Sequence, residues 1–441
     1  MICFGAGGLT LYLTLQFHFK SKRLQVYLNN PSVIFTGNIV KCMYKPIKIF
    51  IAFILFAPSS CSKKKTGIAV GGTENNNTVK SVSIAWDQAS VKRLAPQTGR
   101  SAGYCGYPRM TQLHDKSLLC VYEISGGNIE CTKSFDKANA WSVPVMVAAR
   151  QNGINMAVPE ILELKDYSLL VSYNPRPSPI DSSKHFGIRT KKSYDGGLTW
   201  KDERLLYETG SKFEDGCWEP SQIQLPSGEI QLFFSNEAIY TTTNEQNISI
   251  FRSMDNGLSW TTHPQIVSFR AGKRDGMPVP ILLKEKNEIL FSIEDNEAVD
   301  FKPSIIRTTV DGKWTELLNG TSPNRNAALA KPLADSIYAG APYLRKLQTG
   351  ETILSYQSTE GRNKDWNQAW LHVVIGDREG KNFAQQSIPF EVPLSKYGQC
   401  NSLCVLDDNT VIALTSTNAF VNNTEVWMIK GHVIKNAIIT K

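Results

Sequence analysis

Histidine is scarce in this chain of 441 residues, with six in all, which argues against imidazole chemistry. No glycine-rich phosphate loop, dinucleotide-binding glycine pattern or Ser-His-Asp order is present. No CxxC pair or Cys/His cluster falls at zinc-ligand spacing. Whatever reaction the chain runs is therefore expected to need no cofactor and no catalytic metal, while a structural cation is neither indicated nor excluded. Helical periodicity is weak throughout, and no apolar run is long enough to span a bilayer as a helix.

Acidic residues are missing altogether from positions 1–42, a stretch that fits no compact domain. Residues 43–60 have the layout of an export signal. Tyr44 to Lys48 is basic, Ile49 to Ala57 is an apolar run of nine, and small residues lead to Cys61. The expectation is that translation starts at Met43 and that 1–42 is a misplaced gene start. Residues 43–60 then form a lipoprotein-type signal peptide with Cys61 as the lipid-bearing residue, although Pro58 departs from the usual cleavage pattern. Residues 61–80, with Lys63-Lys64-Lys65 and Asn75-Asn76-Asn77, read as a polar tether. No acidic residues follow Cys61 directly, which points to an exported, anchored protein facing the periplasm. The formal charge of +8 falls to +2 once the six basic residues of 1–60 are removed. The basic balance thus belongs to the leader and makes no case for nucleic acid. Cys105, Cys120, Cys131, Cys217, Cys400 and Cys404 remain in the folded part, mostly as expected buried thiols.

Residues 81–441 carry a repeat. Six copies begin at Tyr107-Pro108, Val158-Pro159, Glu219-Pro220, Met277-Pro278, Ala341-Pro342 and Asn401-Ser402, the last without proline. Each reads as an apolar strand, a polar turn and a second apolar strand, which is hairpin chemistry. Six such units of about four strands each make an all-β, six-bladed β-propeller of antiparallel sheets, one domain and a monomer. The anchored strand of each unit is expected innermost, and the segment from Ser81 to Trp86 is placed as an outer strand closing the ring with the last copy. Between copies lies a second signature: Ser193-Tyr-Asp-Gly-Gly-Leu-Thr-Trp200 and Ser253-Met-Asp-Asn-Gly-Leu-Ser-Trp260. A worn form runs from Ser134 to Trp141, and a shortened one from Val310 to Trp314. Asp accepts backbone N–H groups of a tight turn and Gly supplies positive φ, so these octapeptides are read as staples of the fold and not as catalytic elements.

Glu219 starts the third inner strand, and Glu294 ends the second strand of the fourth unit. Antiparallel order brings those two ends level, so both carboxylates are expected on one rim of the channel. Two carboxylates are the minimum for glycoside hydrolysis. Further rim candidates are Glu123, Glu160 and Asp275, with Tyr107, Arg109, Trp218, Tyr343 and Arg345 as residues whose rings and guanidinium groups suit sugars; core packing or surface pairing is the alternative for each.

From about Gly103 onward the chain resembles the sialidase superfamily, whose Asp-boxes the octapeptides match. Within it, the chain is most similar to glycoside hydrolase family 93, the exo-acting α-L-arabinofuranosidases on linear arabinan. The likeness is carried by Gly106-Tyr-Pro-Arg109, Tyr173-Asn-Pro-Arg-Pro177, Trp218-Glu-Pro220, Gly276-Met-Pro-Val279, Ile293-Glu294 and Ala339-Gly-Ala-Pro-Tyr343. That resemblance implies a retaining mechanism on an oligo- or polysaccharide, with Glu219 and Glu294 as the two glutamates and Tyr397 as the accompanying tyrosine. Which glutamate is the nucleophile stays open at this point. A true exo-α-sialidase, with a tyrosine nucleophile, is the rival. Its first carboxylate-clamping arginine lies two residues before the first proline, where this chain has Gly106; Arg109 follows the proline and points to the opposite face. A non-catalytic glycan-binding propeller is the third reading.

Overall fold

The computed structural model describes residues 81–297 and 299–436. The expectations for the chain start, the leader, Cys61 and the tether lie outside the described residues. Strand β1 (Ser81–Ala95) comes first in sequence and is taken up last in space. Blade one is β2 (Cys105–Gln112), β3 (Leu118–Ile124), β4 (Asn128–Ser134) and β5 (Val145–Ala148). Blade two is β6 (Ile154–Glu163), β7 (Leu169–Pro177), β8 (Gly187–Ser193) and β9 (Lys201–Glu208). Blade three is β10 (Cys217–Gln224), β11 (Ile230–Asn236), β12 (Asn247–Ser253) and β13 (Gln265–Ser268). Blade four is β14 (Asp275–Leu283), β15 (Glu288–Asp295), β16 (Lys302–Thr309) and β17 (Arg325–Ala327). Blade five is β18 (Ala339–Lys346), β19 (Thr352–Ser358), β20 (Trp370–Gly376) and β21 (Ala384–Ser387). Blade six is β22 (Gly398–Val405), β23 (Thr410–Thr417) and β24 (Glu425–Asn436), completed by β1. The inner strands β2, β6, β10, β14, β18 and β22 touch in sequence, and β22 returns to β2. The architecture is the all-β, six-bladed propeller of four-stranded antiparallel sheets.

Strand β1 pairs with β24 from Ser81↔Asn436 to Ala95↔Val426, so the first and last described strands close the ring in one sheet. Apolar side chains fill the spaces between sheets. Leu118, Cys120 and Tyr122 of blade one pack with Ile412, Leu414 and Met428 of blade six, and equivalent clusters fill the other junctions. The six cysteines of the described residues are free thiols, five of them buried and Cys400 half-buried.

Every inner strand carries the same irregularity. The ladder to the second strand skips between Gly106 and Arg109, Ala157 and Glu160, Trp218 and Ser221, Gly276 and Val279, Gly340 and Tyr343, and Gln399 and Ser402. The first skipped residue has positive φ each time: Tyr107 at 48°, Val158 at 49°, Glu219 at 45°, Met277 at 53°, Ala341 at 48° and Cys400 at 52°. None is glycine. A bulge kinks a strand and re-aims one side chain, and a proline without an N–H fits beside it because no ladder bond is asked of it there. In blade six the pair is Cys400–Asn401. The sixth anchor is thus Asn401, one residue ahead of the expected Ser402, since only the bulge and not a proline marks it.

In five of the six blades the bulge N–H is satisfied from the blade before. Val158 donates to Glu123 Oε2 (2.8 Å), Met277 to Ser235 Oγ (2.9 Å) and Ala341 to Glu294 Oε2 (3.0 Å). Cys400 donates to Gln357 Oε1 (2.8 Å) and Tyr107 to Ser416 Oγ (3.0 Å). The second-strand residues named here are equivalent from blade to blade, so Glu123 and Glu294 occupy the same place in blades one and four.

The octapeptides staple the opposite face. Asp255 Oδ1 accepts from Ser253 Oγ and from Ser259 N–H (both 2.8 Å), while Gly257 N–H donates to Ser253 Oγ (2.9 Å). Asp195 is held in the same way by Ser193 and Thr199. The worn copy keeps these bonds, with Ala138 at φ 66° in the glycine's place. The shortened copy keeps its tryptophan: Trp314 is buried and its Nε1 donates to Gln231 Oε1 (2.9 Å).

Candidate active site

Glu219 sits at the bulge of β10, aimed at the ring axis, with about a fifth of its side chain exposed (19 %). Prolines 159, 220, 278 and 342 and the bulge residues Val158, Met277 and Ala341 line the narrow hollow beside it. Arg176, near the end of β7, places Nη2 3.4 Å from Glu219 Oε1. Asn174 Oδ1 accepts from Arg176 Nε at 2.6 Å, and the guanidinium lies over the Trp218 ring at 5.0 Å. Trp218 itself is buried against Phe186 and Phe213 and donates Nε1 to Glu237 Oε1 (2.9 Å). It was expected to face sugar; it instead carries Arg176 on its face, because alternation along β10 turns it into the space between blades.

Glu294, opposite Gly276 in the β14–β15 ladder, reaches the same rim. Its Oε2 holds the Ala341 N–H. A closely packed glycine flanks it on each side. A Cβ on Gly276 would meet Glu294 Cγ and Oε1 at 3.0 Å, and one on Gly340 would collide with Glu294 Oε2 and with the Tyr338 hydroxyl. Tyr338 and Glu294 therefore crowd around one glycine. Gln357 Nε2 donates to the Tyr338 hydroxyl at 2.9 Å. Arg274 stands nearby, ion-paired with Glu237.

The two glutamates differ in their electrostatics. Burial pushes the Glu219 carboxyl up to about 7; the neighbouring charges of Glu294 and Glu237 add to the rise, and Arg176 and Arg274 oppose it. Burial also raises Glu294, but the Ala341 N–H and Arg274 work against the rise. Glu219 is thus poised between its protonated and ionised forms near neutral pH.

Blade one offers a related group: Tyr104 donates to Glu123 Oε1 (2.7 Å) while Glu123 Oε2 caps Val158. Tyr107, at the first bulge, has its hydroxyl within electrostatic reach of Arg176, Glu219 and Glu123. Glu123 and Tyr107 are thus gathered near Glu219 and Arg176.

Other expected rim residues are more deeply buried. Arg109, Glu160 and Tyr343 form a sealed cluster inside the channel, each 5 % exposed or less. Tyr343 donates to Glu160 Oε2 at 3.1 Å, Arg109 Nε lies 3.5 Å from the same oxygen, and Arg345 Nη2 lies 3.8 Å from Oε1. They occupy the second position past the bulge or beyond, which points down the axis. Arg109 and Glu160 line the same narrow hollow as Glu219, with Tyr343 packed against them. Asp275 is fully buried. Arg270 (2.9 Å), Arg325 (2.9 Å) and Ser268 take both its oxygens, and Asp295 shares the same two arginines. It is a structural anion with no face left for a ligand. The Tyr397 hydroxyl meets Thr424 Oγ1.

Sequence reasoning missed Tyr338, Tyr104, Arg274, Arg176 and Glu237. One signal was available: Tyr104, Arg274, Tyr338 and Tyr397 all stand three residues before a bulge. Among the described residues no group of three or more His, Cys, Asp and Glu side chains is placed to hold a metal ion.

No protein-family model matches the chain, and no curated protein sequence matches it either. Solved structures do match. A protein of unknown function from Dyadobacter fermentans gives a TM-score of 0.60 at 14 % identity, covering 78 % of this chain and 100 % of that one. The GH93 α-L-arabinofuranosidase of Fusarium graminearum, solved with arabinobiose, gives 0.58 at 17 %, covering 78 % and 97 %. The NanB sialidase of Streptococcus pneumoniae gives 0.56 at 12 %, covering 78 % and 70 %. At these identities the likeness is one of fold. The class so defined is the six-bladed β-propeller of four-stranded antiparallel sheets. Within that class, glycoside hydrolase family 93 is among the structures the chain resembles.

Proposed function

We propose that this protein is an exo-acting, retaining glycoside hydrolase on a neutral saccharide chain, with α-L-arabinofuranosyl units as the preferred substrate. The observation that carries the reading is the coupled pair of glutamates from adjacent blades, one of them held near pKa 7. Glu219, protonated, donates to the glycosidic oxygen as the bond to the leaving chain breaks. Glu294, raised by burial but with the Ala341 N–H and Arg274 opposing that rise, attacks the anomeric carbon in its ionised form and forms a glycosyl ester. Glu219, now ionised, takes a proton from the incoming water, and the ester is hydrolysed with net retention. Tyr338 holds its hydroxyl beside Glu294 and is assigned to orient that carboxylate and the sugar, a role the GH93 resemblance had put on Tyr397.

A neutral substrate is favoured because Arg274, one of the arginines beside the glutamates, is already paired with Glu237. Arg109, the arginine nearest to a sialidase clamp in sequence, is sealed against Glu160. The test is turnover of an aryl α-L-arabinofuranoside and of linear arabinan, with proton NMR of the first-formed anomer. Glu219→Gln and Glu294→Gln should each lose at least about a hundredfold in kcat/KM while melting cooperatively. Release of sialic acid from sialyl-lactose by a protein inert on arabinan would reverse the ranking, and wild-type inertness on a broad glycan panel would leave a binding module.

A further inference from the structure

We propose that Trp366 is a stacking platform for the sugar unit next to the one held by the two glutamates, so that the site recognises a neutral chain of at least two rings. The inference rests on the saccharide reading above but not on its catalytic assignments.

Trp366 lies in the loop joining β19 to β20, which opens on the same rim as Glu294. It is 56 % exposed, unusual for so large an apolar ring. The exposure is not that of a loose loop. Trp366 begins a single 3-10 turn, Trp366–Gln368, and the Asp365 carboxylate accepts the Asn367 N–H at 3.0 Å. The turn's carbonyl at Trp366 accepts from Gln399 Nε2 (2.7 Å), which ties it to the inner strand of blade six. Arg362, laid over the Trp370 ring at 4.4 Å, bonds the carbonyls of Gln368 (3.2 Å) and Lys396 (2.8 Å) and braces the loop from behind. The ring is therefore presented to solvent on a fixed backbone.

Its neighbour is informative. The Trp366 ring meets the edge of the Tyr338 ring at a centroid distance of 6.5 Å, and the Tyr338 hydroxyl crowds Glu294 at Gly340. One aromatic contact thus separates the exposed ring from the carboxylate. A sugar seated on Glu219 and Glu294 would leave its attached neighbour above Tyr338 and against Trp366. The C–H face of a pyranose or furanose packs on an aromatic face without needing charge. No carboxylate-binding cation is needed there, which fits a neutral chain.

The experiment is isothermal titration in the Glu219→Gln background, with and without Trp366→Ala. The probes are arabinose and linear arabino-, xylo- and galacto-oligosaccharides of two to four units. The expected result is that the chains which bind do so about tenfold more weakly without the ring. Monosaccharide affinity stays unchanged, and Trp366→Phe retains most of the chain affinity. Equal chain affinity in both proteins, or binding of none of the chains, overturns the platform. Trp366→Gln, at the same exposed position, gives a second reading should the alanine variant melt non-cooperatively. Undiminished hydrolysis by the Glu219→Gln and Glu294→Gln proteins would sink the catalytic assignment and leave the platform standing, so the two failures are told apart.

Discussion

At the scale of single residues, burial makes Glu219 unusual. A carboxyl with pKa about 7 in the folded chain and near 4.5 when unfolded binds more protons folded than unfolded between those values. Stability contributed through this group is therefore present below the unfolded pKa and is lost as pH rises through about 7. Glu219→Gln removes the charge, so its melting temperature should exceed the wild type at pH 8 and match it at pH 4.5; a difference that does not grow with pH would contradict the buried-acid assignment. For catalysis, kcat/KM should fall on the alkaline side with an apparent pKa near 7 as the acid loses its proton. Gly340 gives a second test. Gly340→Ala would push Cβ against Glu294 Oε2 and the Tyr338 hydroxyl. A displacement of about 1 Å at a reacting group lowers rate on the order of a hundredfold, so kcat should drop with little change in thermal midpoint. Unaltered kcat would mean that neither group needs its present place.

Among the elements, the bulged inner strand sets the site and the octapeptide hairpin sets the fold. The proline of five copies was legible in sequence, but the positive-φ residue before the anchor was not, because no glycine marks it at any of the six positions. Tyrosine, valine, glutamate, methionine, alanine and cysteine all adopt it. At five of the six the bulge is met by a side-chain cap from the preceding blade, a contact between residues 35 to 47 positions apart in examples such as Glu123–Val158 and Glu294–Ala341. That is why Asn401 and not Ser402 anchors blade six. The octapeptides are local, and their bonds run as their residue types imply. Asp255→Ala removes the acceptor for Ser253 Oγ and for Ser259 N–H and should lower unfolding free energy by about 1 kcal/mol, measured as a shift in urea midpoint. Turnover should be unaffected, since the box lies on the face away from the glutamates.

For the whole molecule, ring closure depends on β1. Its pairing with β24 covers an edge that would otherwise present a row of free backbone groups. It also buries Val82, Leu94 and Ala95, and Trp86 Nε1 donates to Ser387 Oγ of blade five (3.0 Å). Removing residues up to 95 should destabilise the ring by on the order of 5 kcal/mol and promote self-association through β24. Calorimetry and size-exclusion chromatography check this, and a truncated chain that melts like the wild type would show that the outer strand is dispensable.

The chain's amino acids alone determined the repeat, the six sheets, the octapeptide staples and the strand-end positions of Glu219 and Glu294, because these rest on alternation, turn chemistry and spacing within one unit of the repeat. Folding decided the rest. It sealed Arg109, Glu160 and Tyr343 together, buried Asp275 between two arginines, turned Trp218 inward, and brought Tyr338 and Arg274 to the rim. Those outcomes depend on contacts between blades and on burial, and neither is encoded in the local pattern of any one strand.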